Sequence, residues 1–489
     1  MASAAIVDSS SRPYDIIVFG CTGNAGRGVT INLLKLAHLL EKSKEDRVLR
    51  IGLAGRSRDR VEQLLESVCR ELEIVNPCSS LGSSKVDIRT SDSGGASSGK
   101  GLTVAIEIAD STDEISMLRM TQSTHVLIAC AGPFGRYGEA VVKACVKTGT
   151  HYCDITGEVP WVNSMIRKYN AEAIQKGVTL CPFSGYDCLP AELGMYLVGK
   201  GLRDQGKDMT TLELAFTSFK SGAPHGTLNT ALDALQPSEL KKNFAAMRAD
   251  NTENGGRFIP KEWIATAKGA LSPVNFLKPR WSSNLKCFTG LNFMCPINVH
   301  VLCRSAAELK LHTGTNKNNK PFTIADRLVL NFLPPSVLNL YGLGGILLYT
   351  ASLVLGGIAM GLALIPPVRK IMQHLLNTCY SCPGDKTGKM YVDAHGTSTN
   401  ANNETTTASV HLDIPGDIGV YATGLFAVSV AIAMLDATTD TVSIASNDSM
   451  QTGFHSPVAA LSTHKSSNSS ATGVDMILER MKQLDSTVG

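Results

Sequence analysis

The chain lacks an excess of charge of either sign. Its 46 Lys and Arg stand against 43 Asp and Glu, a net charge of +3 over 489 residues. That balance leaves no electrostatic case for nucleic acid as a partner. A cysteine framework is also missing, because the 13 cysteines are odd in number and scattered. The opening Met-Ala-Ser-Ala-Ala-Ile-Val-Asp has neither a basic region nor a long apolar core, so the expectation is a reduced, cytosol-facing protein. On that expectation the sequons at Asn403, Asn447 and Asn468 are idle. Cys379 and Cys382 make a lone Cys-x-x-Cys without a second pair at zinc spacing, which argues against a metal or redox centre. No catalytic triad or carboxylate pair can be assigned from spacing. With 43% apolar and 18% charged residues, the chain can bury a sizeable core, and its length admits two or three domains.

What is present is glycine at informative places. Ile16–Phe19 is an apolar run of strand type that breaks into Gly20, Gly23 and Gly26 and then opens onto a helical pattern from Arg27 to Leu40. This strand, turn and helix is the layout of a dinucleotide site: Gly20 permits the turn, Gly23 lets backbone approach a pyrophosphate, and Gly26 lets the helix lie close to the strand. Thr22 and Asn24 complete the cofactor turn. The spacing is Gly-x-x-Gly-x-x-Gly, a weaker signal than Gly-x-Gly-x-x-Gly, and an ordinary glycine-rich turn is the competing reading.

Apolar strands then alternate with helical patterns. Strands are expected near Arg50–Gly55, Leu102–Asp110, His125–Cys130, Thr150–Asp154 and Val178–Pro182, with helices near Arg60–Leu72, Glu139–Thr148 and Val162–Lys176. This alternation predicts an α/β fold with an N-terminal Rossmann-like, doubly wound parallel sheet. Residues 76–101, rich in Ser, Gly and Lys, read as a flexible insertion. Beyond residue 190 the periodicity changes: Thr211–Phe219 reads as a strand and 257–305 as shorter antiparallel strands. The domain expectation is a dinucleotide domain over 12–195 completed by 412–489, and an inserted α+β domain over 196–411. Ile414–Asp436 reads as an apolar helix and Val474–Leu484 as a final helix.

One stretch departs from this pattern. No charged residue lies between Arg327 and Arg369, and within the membrane-associating segment 337–368 the apolar run Tyr341–Ile365, bracketed by Pro334-Pro335 and Pro366-Pro367, is long enough to enter a membrane, one leaflet being favoured over a crossing. Arg369 and Lys370 would then anchor it at lipid headgroups. A buried helix pair is the alternative.

The end of the second strand selects the cofactor. It reads Gly55-Arg56-Ser57-Arg58, with no carboxylate before Asp59 to take a ribose 2′-hydroxyl, and a guanidinium pairs well with a 2′-phosphate. NADP is therefore expected, with Arg56 and Ser57 contacting it. Asp110 caps a turn or accepts from the adenine amino group. After the fourth strand, Ala131, Gly132 and Pro133 pass beside the nicotinamide ribose, and Arg136 or Tyr137 faces substrate.

Several motifs together resemble one family. Phe19-Gly-Cys-Thr-Gly23, Ala54-Gly-Arg-Ser57, Ala131-Gly-Pro-Phe-Gly-Arg-Tyr-Gly138, Tyr152-Cys-Asp-Ile-Thr-Gly-Glu158 and Ser184-Gly-Tyr-Asp-Cys-Leu-Pro-Ala-Glu-Leu-Gly194 are similar to the successive motifs of the saccharopine dehydrogenase-like oxidoreductases. Ser221–Thr227 and Gly453–Pro457 resemble later elements of that family. The similarity is dense over the first 230 residues and thin between 230 and 410. It implies a Rossmann domain, NADP and lipid-linked biology: a lipid-like small-molecule substrate, the cytoplasmic side of a membrane or lipid droplet, and room for a homodimer. It does not supply a substrate. Asp187 and His225 are the candidate catalytic groups, with Lys220 a further proton donor. Tyr196 and Lys200, with Ser184 upstream, reproduce the spacing of short-chain dehydrogenases and form the competing reading, although Gly199-Lys200-Gly201 is expected to end their helix. A cofactor-binding scaffold without turnover is the other alternative.

Overall fold

The computed structural model describes residues 12–42, 48–74, 85–88, 102–219, 222, 225–238, 241, 259–311, 322–330, 343–380, 387–400, 402–439, 449–465 and 471–485. Lys220, Cys382, Asn447, Asn468, residues 337–342 and most of 76–101 lie outside this set. The chain divides into two compact units, Met1–Trp161 with Lys168–Tyr186 and Gly419–Gly489, and Val162–Arg167 with Asp187–Ile418.

The first unit is built on β1 (Tyr14–Phe19), β2 (Arg50–Gly55), β3 (Lys85–Ile88), β4 (Leu102–Ile108), β5 (Thr124–Ala129), β6 (His151–Asp154) and β7 (Thr179–Cys181). They join a distant strand, β14 (Gly453–Phe454), in the order β14-β7-β6-β5-β1-β2-β4-β3. Seven strands are parallel and β3 alone is antiparallel, on β4. β3 is a correction to the reading of 76–101 as insertion alone. Ile16, Ile17, Val18, Val126, Leu127 and Ile128 are fully buried, as expected of central parallel strands covered on both faces. Among the covering helices are α1 (Asn24–Lys42), α2 (Arg58–Glu71), α3 (Glu114–Gln122), α4 (Phe134–Thr148) and α5 (Val159–Gln175).

A second apolar helix, Thr423–Thr439, is buried from Thr423 through Leu435 and packs against α1, β5 and the final helix Gly473–Asp485. Its start differs from the expected Ile414: a strand runs to Pro415 and a π-helical turn occupies Ile418–Ala422. The close approach explains two glycines. A Cβ on Gly28 would lie 2.1 Å from Val420 O, and one on Gly424 would lie 2.4 Å from Gly28 O.

The second unit holds a six-stranded mixed sheet, ordered β13-β12-β8-β11-β10-β9. Its strands are β8 (Thr211–Phe219), β9 (Arg280–Ser282), β10 (Cys287–Leu291), β11 (Thr323–Val329), β12 (Lys389–Thr399) and β13 (Thr405–Pro415). Leu212, Leu214, Val392 and Ala394 are buried on the face covered by α6 (Leu189–Arg203). The expectation of strands throughout 257–305 is corrected: helices form at Ile264–Ala270 and Cys295–Glu308. α6 itself continues through Gly199 and Gly201 to Arg203, where the sequence predicted an end. Those glycines serve packing, since a Cβ on Gly199 would lie 2.9 Å from the Leu311 side chain.

The charge-free segment forms a helix at Leu343–Ala363 and a second at Pro366–Cys379, bent by 115° at the break. Tyr349 fixes the base of the first. Its hydroxyl donates to Leu277 O at 2.7 Å and accepts from Leu291 N at 2.9 Å, and it packs with Leu291 and Leu330. Beyond that anchor the apolar side chains are uncovered within their unit: Val354, Leu355, Ile358 and Met360 are each more than half exposed. The expected role of Arg369 is corrected, because it is buried and donates to Ala363 O at 3.1 Å, capping the first helix; Lys370 is exposed.

Gly28→Leu should collide with the Val420 carbonyl and lower the stability of the first unit by roughly 3 kcal/mol. Thermal denaturation followed by circular dichroism checks this, and an unchanged midpoint contradicts the described helix contact.

Candidate functional site

The carboxyl ends of β1 and β5 lie side by side. From β1 the chain moves through β2 to β4 on one side, and from β5 through β6 to β7 on the other, so their junction is the topological switch point at which open α/β sheets bind ligands. Gly20 sits there with φ +79°, and a Cβ on it would lie 2.7 Å from Ala131 N. Cys130 N donates to Phe19 O at 2.8 Å. A Cβ on Gly26 would fall 2.2 Å from Gly20 O, so α1 can start this close only with glycine at that place.

Gly23 is different. Its nearest neighbour would be 3.6 Å from a Cβ, and with Thr22 and Asn24 it is exposed. Protein packing therefore does not demand glycine there, which leaves room for the close approach of a phosphate expected from the sequence. The first turn of α1 has no acidic residue, so no side-chain charge within it offsets the positive end of its dipole.

At the end of β2, Arg56 is exposed and makes no hydrogen bond or ion pair with a described residue. Ser57 caps α2 by accepting from Arg60 N at 3.5 Å, and Arg58 lies 3.6 Å from Glu62. Asp110 accepts from Thr112 N and Oγ1, both at 2.9 Å; these bonds, with a smaller contribution from the Arg56 charge, hold its carboxyl below the usual range. Its turn-capping role is thus the one the geometry shows.

The loop Ala131-Gly132-Pro133 leads into α4, and the Gly132–Pro133 peptide is cis. The Glu158 carboxylate caps α4, accepting from Phe134 N at 2.8 Å and Gly135 N at 3.0 Å, while Trp161 packs on Phe134 with ring centroids 5.5 Å apart. Sequence reasoning quoted Glu158 within a motif but missed this pairing. The signal was a carboxylate in the loop after β6, facing a helix whose own first turn offers no cap. Arg136 and Tyr137 are exposed on that turn.

Asp154 is fully buried. It accepts from Tyr152 Oη at 2.7 Å, Thr156 N at 3.0 Å and Phe183 N at 3.2 Å, but burial dominates and pushes its pKa up to about 7. It ties β6 to the loop after β7. Asp187, in the turn before α6, is also pushed up to about 7 by burial, and it accepts no hydrogen bond from a described residue. His225 begins α7 (His225–Ala234), and its side chain is outside the described set. Tyr196 is half-buried in the middle of α6, and Lys200 is exposed one turn later.

Residues 16–181 match the family model described as the saccharopine dehydrogenase NADP-binding domain. The chain carries that domain, and its cofactor is NADP. Curated relatives include a saccharopine dehydrogenase-like oxidoreductase of Rattus norvegicus, 30% identical over 45% of this chain and 44% of that protein. A lipid droplet localized protein of Caenorhabditis elegans is 30% identical over 51% of this chain and 52% of its own. A protein of Mycobacterium tuberculosis named as a trans-acting enoyl reductase is 28% identical over 62% of each. The chain spans about half the length of the curated relatives it matches. The solved apo saccharopine dehydrogenase (L-Glu forming) of Saccharomyces cerevisiae covers 97% of this chain and 98% of its own at 12% identity, with a TM-score of 0.45.

Two outcomes follow. Gly23→Val should abolish NADPH binding, and Arg56→Ala should weaken NADPH about tenfold or more while hardly changing NADH, since charge-assisted bonds to the 2′-phosphate are worth ~1.5–3 kcal/mol; nicotinamide fluorescence titration reads both. The second concerns pH. Because Asp154 is held near 7 when folded against 3.8 unfolded, its contribution is present at pH 4 and is lost as pH rises through about 7. Asp154→Asn should flatten that part of the stability profile, measured by denaturant unfolding between pH 4 and 8.

Proposed function

We propose that the chain is an NADP-dependent oxidoreductase acting on a lipid-like or acyl substrate, docked by its apolar helix pair on the cytoplasmic side of a membrane or lipid droplet. The observation that carries this reading is the exposed helix Leu343–Ala363 on a chain with an intact NADP turn. Burying even part of that helix in hydrocarbon contributes several kcal/mol, at ~25 cal/mol per Å². Its free portion, Tyr349–Ala363, rises about 22 Å at ~1.5 Å per residue, short of the ~30 Å hydrocarbon core of a bilayer. The 115° bend at the following break then turns Pro366–Cys379 away from the first helix axis. Both features favour insertion into one leaflet over a crossing. The names of the worm and mycobacterial relatives agree with a lipid setting and with reductase chemistry.

In the proposed reaction, NADPH supplies hydride and Asp187 supplies the proton. A carboxyl with a pKa near 7 retains a proton at neutral pH and can release it, and among the described residues none gives Asp187 a hydrogen bond that would hold it in another role. His225 is retained as a second donor. The short-chain dehydrogenase reading is weaker, because nothing around Tyr196 and Lys200 sets them apart from other residues of α6. The scaffold reading would leave Asp187 without work.

Leu355→Glu combined with Ile358→Glu should abolish flotation with liposomes while NADPH affinity stays unchanged. Flotation that survives both charges contradicts the docking role. Asp187→Asn should lower NADPH turnover at least ~100-fold with little change in NADPH affinity, read by single-turnover oxidation of bound NADPH. Full turnover in that variant, with Tyr196→Phe inactive, transfers the role to Tyr196.

A further inference from the structure

The second unit holds a cavity of about 360 Å³ walled by β8, β11, β12 and the segment Asn275–Asn284. That volume is in the ~300–1,000 Å³ range of small-molecule sites. The strand register builds its floor. His395 pairs with Glu213 and Glu213 with Ala325, so three strands contribute one row; Thr397, Thr211 and Thr323 form a second row on the same face.

The groups of the wall are unequally satisfied. Arg327 is spent on the protein itself: Nε donates to Thr289 Oγ1 at 3.1 Å, and the guanidinium also meets the carbonyls of Asn275, Lys278 and Thr289. The Asp326 carboxylate is held by the Asn292 and Asn298 amides, both at 2.6 Å. Glu213 accepts from Asn284 at 2.6 Å through one oxygen. His395 is unfinished: Nδ1 is 2.7 Å from Ser409 Oγ, while Nε2 is buried without a partner among the described residues. A buried ring nitrogen left unpaired costs free energy unless something completes it.

The wall therefore offers the Glu213 carboxylate, threonine hydroxyls and an open imidazole nitrogen, and its exposed cation, Arg280, already donates to the Asn275 side-chain oxygen. Glu213 supplies a negative charge on the cavity face while Asp326 lies in register with Leu214 on the other face, and Arg280 already has an acceptor, so an anionic ligand gains little there. A hydroxyl suits every one of these groups, because it donates to carboxylate and pairs with either imidazole tautomer. We propose that this cavity binds a neutral, hydroxyl-rich group of about sugar size, held by His395 Nε2, Glu213 and the Thr211, Thr323 and Thr397 hydroxyls.

The group has two sources, a free polyol or the head of an amphiphile; the second rests on the lipid-surface reading. The segment that lines the cavity with Asn275 and Arg280 also carries Leu277, whose carbonyl receives the Tyr349 hydroxyl at the foot of the apolar helix. Val274, Leu277 and Trp281 on that segment are exposed at 63%, 43% and 45%, an apolar surface on which an alkyl tail can lie.

Calorimetric titration of the full chain with glucose, myo-inositol and octyl glucoside below its critical micelle concentration tests this. Saturable binding of at least one probe is expected, weakened about tenfold or more by His395→Phe and by the cavity-filling Ala325→Leu. NADPH titration certifies that each variant is folded, and either variant alone suffices if the other is not. Octyl glucoside binding displaced by glucose identifies a head group; glucose or inositol binding with octyl glucoside excluded identifies a free polyol. No saturable binding by any probe overturns the proposal. So does binding that both folded variants leave intact, or octyl glucoside binding that glucose fails to displace. Loss of liposome flotation in the Leu355 and Ile358 variant leaves polyol binding untouched, so failure of the lipid reading is separable from failure of this one.

Discussion

Everything in the first unit depends on how closely the backbone of Gly20 approaches Ala131. With no room for a Cβ, the turn after β1 lies against the start of the loop after β5, and the two carboxyl ends share one crevice. Gly26 brings the first turn of α1, which holds no acidic residue, down onto the same carbonyl region, so the positive end of the helix dipole faces that crevice. The cost falls on specific positions and the return is a preformed phosphate cradle. Gly23 is not required by the packing, since a Cβ there would meet nothing closer than 3.6 Å.

Two helices in this chain are almost equally apolar and have opposite fates. Thr423–Thr439 is covered by α1 and the final helix, and Gly28 and Gly424 let the backbones approach. Leu343–Ala363 is tied to its own unit at Tyr349, and its glycines at 356, 357 and 361 meet nothing within 4 Å. Small residues that pack against a neighbour build a core. Small residues that face nothing, on a helix with exposed Leu and Ile, are consistent with lipid as the solvent.

The parallel sheet was legible because its central strands are continuous apolar runs and its glycine turn has a required geometry. Arg56, standing where a carboxylate would select NAD, led to the expectation of NADP, the cofactor that the family match also gives. β12 and β13 were not legible, since their outward positions carry Thr, Ser and His and their inward ones include Gly396 and Ser398, which blurs the alternation. Nor was the end of α6, where Gly199 reads as a stop but serves the approach of Leu311. Glu158 was missed because a cap formed across 23 residues, from Gly135 to Glu158, leaves no local pattern. Arg369 was misread for a related reason: a cation after an apolar run suggests a headgroup anchor, yet its partner is the helix's own terminal carbonyl.

The cofactor crevice and the apolar helix pair give the account its central claim, that hydride passes from NADPH to a lipid. The direct measurement is isotopic: the chain is incubated with stereospecifically deuterated NADPH and vesicles of extracted neutral and polar lipids, and the lipid fraction is analysed by mass spectrometry. The account predicts one deuterium incorporated into a lipid species, dependent on Gly23. Bound, intact NADPH with no deuterium in any lipid would contradict it and leave a cofactor-binding coat protein.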